Sequence, residues 1–136
     1  MRKVLITMFA ALGGALCGAA TAGDWEESLA VPSGFELSLQ EVIYETLQDN
    51  SAVARFRYVM PIIGQEGISF DDVEPDFLYL CETHARRSLE KADKTVDQII
   101  ISLADRETEF GTVSHVATQF FEAYRVENGA CIWEGF

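Results

Sequence analysis

The sharpest pattern lies at the end of the chain, in the stretch 116–136. Aromatic and β-branched residues flank the dipeptide Asn128-Gly129 on both sides. That arrangement predicts a hairpin with a two-residue type I′ turn, because Asn and Gly tolerate positive φ best. A two-residue turn also fixes the register. It sets Glu127 opposite Ala130, Val126 opposite Cys131, Arg125 opposite Ile132, and Tyr124 opposite Trp133. Opposed residues share a face, and the face alternates along each strand. Tyr124, Val126, Cys131 and Trp133 then form the more apolar face, assigned to the core. Phe121, Ala123, Arg125, Ile132 and Glu134 form the other. Glu122 falls on the core face and fits there only at the sheet margin.

Upstream, Phe35, Leu37 and Leu39 alternate with polar residues and predict a strand beginning at Phe35. The apolar phase then slips, with Val42 and Tyr44 out of step with Leu39, which predicts a β-bulge near Gln40-Glu41. Leu47–Ser51 is a turn. Ala52–Pro61 reads as a second strand, with Ala54, Phe56, Tyr58 and Met60 on one face and Arg55 and Arg57 on the other. Gly64–Gly67 is a loop. Ser69 with Asp72 resembles a capping box, but Pro75 moves the expected start of the regular helix to that residue. Phe70, Val73, Phe77, Leu80, Cys81, His84, Ala85 and Ser88 share one helical arc. Glu82, Arg86 and Glu90 lie on the opposite side as i,i+4 pairs, and the helix ends near Ala92. A strand at 97–104, apolar on both faces, belongs in the middle of a sheet. The loop Asp105–His115 leads into the closing hairpin. The order β-β-α-β-β-β predicts an α+β fold: one small domain, a mostly antiparallel sheet and one helix packed on one face.

The beginning of the chain alters where this domain is expected to work. Met1-Arg2-Lys3, the apolar run Val4–Gly18 and Ala20-Thr21-Ala22 form a secretory signal peptide over residues 1–22. The run is too short for a comfortable membrane span. Leu16 before Cys17 argues against a lipoprotein. A polar leader at 23–34 and the single domain at 35–136 follow, in a protein destined for the periplasm. The 136 residues carry a net charge of −12. Removing 1–22 takes away Arg2 and Lys3 and no acidic residue, which makes the mature chain more acidic still. Such a surface repels nucleic acid and anionic membranes. Cys17 leaves with the signal. Cys81 and Cys131 remain, and in an oxidising compartment they are expected to form a disulfide. The helical arc and the hairpin register both aim them into the same interior.

Few residues suggest chemistry. His84 lies beside Cys81 on the apolar arc and reads as a core or margin histidine, since further metal ligands are missing. The acids Asp71, Asp72, Glu74 and Asp76 lack the alternating spacing of a calcium loop and suit a helix N-terminus instead. The candidate functional loop comprises Asp105, Arg106, Glu107, Glu109 and His115, with Gly111 as a hinge. No phosphate-binding glycine loop, Ser-His-Asp order or Cys-x-x-Cys motif is present. Neither a catalytic residue nor a metal or other cofactor is expected.

The run Thr118–Glu134, with 101–106 before it and 54–59 further upstream, resembles a family of small exported alphaproteobacterial proteins of unknown function. The resemblance implies no activity and carries no catalytic residue over. Some members bear the label acetolactate synthase. Thiamine-diphosphate enzymes are several times longer and need a Gly-Asp-Gly metal motif, which this chain lacks, so that label is rejected. The expectation is a non-catalytic periplasmic binding or protein-interaction module. Its partner is a protein or small molecule, and neither nucleic acid nor, after signal cleavage, a membrane. The alternative is a small metal-dependent or hydrolase-like enzyme using the 105–115 loop.

Overall fold

A computed structural model describes residues 29–135; the expected signal peptide lies outside them. Five strands follow one another in space as they do in sequence: β1 (Ser38–Thr46), β2 (Ala52–Val59), β3 (Gln98–Ala104), β4 (Gln119–Glu127) and β5 (Ala130–Glu134). Every neighbouring pair is antiparallel except β2 and β3, which are parallel. The parallel pair has a simple cause. The helix bridges β2 and β3, and a helical crossover returns the chain in the same direction. The result is the α+β domain that the pattern predicts, with β3 at the centre.

The helix begins at Phe70, ahead of the start expected at Pro75. It runs through α1 (Phe70–Leu80), a single π turn (Cys81–Ala85) and α2 (Arg86–Lys91). Ser69 caps it, its backbone N–H donating to Asp72 Oδ2 at 2.8 Å. Pro75 is inside α1 but close to its start, so the ring removes only one early i→i−4 hydrogen bond. The π turn adds a residue to the ladder. Leu80, Cys81 and Ala85 all reach the core there. A short 3-10 turn, Pro61–Gly64, occupies part of what the sequence leaves as connection.

Helix and sheet enclose one main core. Val73, Phe77, Leu80, Ala85 and Leu89 from the helix meet Phe56, Tyr58, Ile99, Ile101, Leu103 and Tyr124 from the strands. The alternation on β2 holds as expected. The bulge is also where the phase slip puts it, between Leu39 and Glu41. β1 itself starts at Ser38 instead of Phe35, because Phe35 and Leu37 pack onto the core without entering the ladder. The described end of the leader, 29–34, also docks on the domain. Val31 is buried there, and Ser33 donates to Asp76 through both its N–H and its hydroxyl. Asp76 is fully buried. It belongs to the acidic group placed at the helix N-terminus by the sequence, yet its work is to hold this segment.

The hairpin register agrees residue for residue with the expectation, and Asn128 and Gly129 have φ of 51° and 75°. Cys81 and Cys131 form a disulfide with Cα atoms 6.3 Å apart. Their neighbour Glu82 is not simply solvated. Its Oε1 accepts the Cys131 N–H at 2.9 Å while Oε2 pairs with Arg86. Trp133 lies on the core side of β5, as the register assigns it, but it is exposed where the sequence places it in the core.

Candidate functional site

The helix covers one face of the sheet. The other face carries Arg55 and Arg57 of β2, Ile100 and Ser102 of β3, and Gln119, Phe121 and Ala123 of β4. Ile100 and Ser102 are nonetheless buried. The cover is the connection 105–118, which folds back over the strands. Its base is closed at Asp105, whose N–H donates to the Thr118 carbonyl and whose Oδ1 accepts the Thr118 N–H, both at 3.0 Å. Gly64 lies against this carboxylate; a Cβ there would stand 2.9 Å from the Asp105 Cβ and closer still to Oδ2. A glycine is required at 64 for that close approach. Arg106 beside Asp105 holds its carboxyl below the usual carboxylate range, helped by the Thr118 N–H.

The loop is pinned again at Thr108. Arg57 Nη2 donates to the Thr108 carbonyl at 3.0 Å and to its Oγ1 at 2.7 Å. Gln40 Nε2 also reaches the carbonyl, and Gln119 Nε2 the hydroxyl. The bulge explains how Gln40 and Glu41 both serve this face: the inserted residue re-aims two successive side chains toward it. Glu41 pairs with Arg57 Nη1, and Glu45 Oε2 accepts from Arg55 Nε at 3.0 Å. Phe110 then lies over both guanidiniums, its ring centre 5.4 Å from Arg55 Cζ and 5.6 Å from Arg57 Cζ. That distance is within range of a cation–π contact.

Between loop and sheet is a cavity of about 230 Å³, lined by Arg55, Arg57, Ile100, Ser102, Phe121 and Gln119 below and by Thr108–Thr112 above. Arg57 is only 7% exposed and both its Nη groups are engaged, by Glu41 and Thr108. Arg55 is different. Among the described residues its two Nη groups meet no acceptor, so four N–H donors are left without a partner. Glu109 offers a carboxylate, Ser102 a hydroxyl, and Ile100, Phe121 and Phe110 an apolar wall. Neither histidine lines the cavity. His84 is on the helix side of the sheet, where its Nδ1 is 2.6 Å from the Tyr58 hydroxyl. Burial, and then the charge of Lys91, push the His84 pKa down, while burial pushes the Tyr58 phenol up. The pair is therefore a neutral one, joined by a single hydrogen bond between the phenol oxygen and the ring nitrogen.

Ser102 has no histidine beside it to act as a base, and among the described residues no group of three His, Cys, Asp or Glu side chains could hold a metal ion. The loop residues singled out by sequence do not come together. Glu109 lines the cavity, Asp105 and Arg106 pair with each other at the loop base, and Glu107 and His115 are exposed. The enzyme reading needs these carboxylates and His115 in one cleft. The residues that sequence reasoning passed over are Arg55, Arg57, Thr108 and Phe110. A signal existed for two of them: arginines at i and i+2 inside a strand, pointing away from the apolar face. The chain belongs to a family of unknown function (DUF6497). That family's model matches residues 11–136, and the membership bears out the resemblance read from the hairpin at the level of the family. No curated protein and no solved structure matches the chain. DUF6497 itself prescribes no chemistry, so the cavity has to be read from its own residues.

Proposed function

We propose that this DUF6497 protein is an exported, non-catalytic binding module of the periplasm, and that the arginine-floored cavity receives its ligand. One observation carries the reading. A buried arginine, two glutamines and a threonine are spent on fixing a loop over a sheet face, and the space so enclosed retains uncommitted polar groups. A volume of about 230 Å³ is smaller than the roughly 300–1,000 Å³ of sites for drug-sized ligands, so the ligand is a small molecule. Arg55 suits an acceptor on it, Glu109 a donor, and Phe110 and Phe121 a flat or apolar side. The acidity of the chain and the expected signal peptide support the compartment, and the disulfide fits an oxidising one.

The test is a thermal-melting screen of the mature protein against small carboxylates, sugars, amino acids and nucleosides, run beside Arg55→Ala. A compound that raises Tm for the parent and not for the variant supports the reading. If no compound moves the parent, or hits act equally on Arg55→Ala, the cavity is not the binding site.

A further inference from the structure

Two residues on the helix side of the hairpin break the strand pattern. Glu122 puts a carboxylate on the core face of β4, and Trp133, on the same face of β5, is 63% exposed. They meet in one open groove of about 420 Å³, lined by Glu74, Pro75 and Leu78 of α1 and by Glu122, Tyr124 and Trp133 of the hairpin. Trp133 is fixed despite its exposure. Its Nε1 donates to Glu122 Oε2, Tyr124 is its cross-strand neighbour, and its ring folds back over Gly135, where a Cβ would lie 3.2 Å from Cη2. An indole held in one orientation offers its face at little entropic cost. Places where local rules fail together are where function is to be sought.

The chemistry of the groove points one way. Pro75, Leu78 and Trp133 make an apolar trough; among the described residues Glu74 and Glu122 are its only charged residues, and no Lys, Arg or His lines it. A cation on an aliphatic stem fits that combination, with the stem on Leu78 and Pro75 and the head over the indole and near the carboxylates. The backbone favours a polypeptide as the bearer of that cation. β5 is an edge strand. Trp133 pairs with Tyr124 at a position where, in this hairpin, N–H and C=O point away from β4. The equivalent outward N–H of Cys131 is taken by Glu82. Among the described residues that of Trp133 is not taken, so an extended segment can add along the edge beside the groove.

We propose that this groove docks an extended basic segment of a protein partner, with a Lys or Arg side chain laid across Trp133 between Glu74 and Glu122. The site is on the opposite face of the sheet from the arginine-floored cavity and stands or falls independently of it. The test uses the mature protein with Trp25→Phe, which leaves Trp133 as the sole indole. The probe is a blocked peptide of alternating Lys and Val, compared with a Glu–Val peptide and with blocked single lysine. The Lys–Val peptide should change Trp133 emission saturably. Glu74→Gln and Glu122→Gln should each weaken it about threefold, as for an exposed ion pair; the Gln at 122 keeps an acceptor for the indole N–H. Trp133→Ala, followed by calorimetry, should cost about tenfold, with melting curves verifying that each variant is folded. No saturable change, equal binding of the Glu–Val peptide, or affinity unmoved in both Gln variants would overturn the proposal. Blocked single lysine binding as tightly as the peptide would overturn the polypeptide partner and leave a small-cation site.

Discussion

Removing the Cys81–Cys131 bond should cost more stability than either Gly64→Ala or Arg57→Gln. The bond joins the π turn of the helix to the closing hairpin across a sequence separation of 50. In the chain-entropy account a loop of that size restricts the unfolded chain by about 4 kcal/mol. That is a large share of the roughly 5–15 kcal/mol available to a domain, and corresponds to a fall in Tm of about 20 °C. Both sulfurs are buried, so Cys81→Ala with Cys131→Ala also leaves a small void. Reduction of the parent protein separates the two effects, because it opens the bond and keeps the atoms. Urea unfolding of the parent, with and without reductant, and of the double alanine variant is the assay. Reduction should lower stability by about 4 kcal/mol and raise the m-value, since the released unfolded chain exposes more surface. The alanine variant should be lower again by about 1 kcal/mol. A loss under ~1 kcal/mol on reduction, or an unchanged m-value, would refute the reasoning. Two free thiols in the denatured, unreduced protein would refute the bond itself.

Three further outcomes follow from the loop and the buried pair. Gly64→Ala forces a Cβ into Asp105 and should destabilise by about 1–3 kcal/mol, with loss of hydrogen-exchange protection at the Thr118 amide; protection equal to the parent would contradict the latch. Arg57→Gln strips Thr108 of its clamp and should cost about 2–3 kcal/mol and speed tryptic cleavage after Arg106, whereas Arg55→Ala should stay within about 1 kcal/mol of the parent; equal losses would show that the two arginines are not differently employed. The folded-state pKa of His84 lies below its unfolded value, so the unfolded chain binds the proton more readily. The stability it contributes is complete above the unfolded pKa of about 6.5 and is lost as pH falls below it. His84→Gln, which keeps an acceptor for the Tyr58 hydroxyl, should flatten the pH dependence of urea midpoints just below that value, and an unchanged slope would contradict the buried neutral pair.

Much of the fold was legible because the deciding interactions are local or periodic. The turn at Asn128-Gly129 sets its register through two φ angles, and the bulge at Gln40 leaves a visible slip in alternation. The disulfide followed from two independent face assignments. Contacts between distant segments left no such trace. Asp76 is buried because Ser33, 43 positions away, supplies its hydrogen bonds, and nothing around Asp76 announces that. Pro75 misled by rule: a proline near a helix start forfeits one hydrogen bond, and the capping box at Ser69 and burial of Val73 outweigh it. Within the loop the ionisable residues drew attention, yet the hold on the sheet is made by Thr108 and Phe110. A threonine and a phenylalanine in a loop carry no pattern. Their partners Arg55 and Arg57 were placed on the correct face, but nothing in the alternation along β2 shows that a loop covers that face.

The claim on which the functional reading depends is that the space between β2 and the loop at 108–112 takes up a ligand. Amide and arginine Nε–Hε NMR resonances of the mature protein, followed through titration with the compounds that raise its Tm, test it directly. Saturable shifts are expected at Arg55, Ser102 and residues 109–112, with Arg57 and Thr108 moving little because they are already fixed. Shifts confined to the Trp133 groove, or no saturable shift at Arg55, would contradict it.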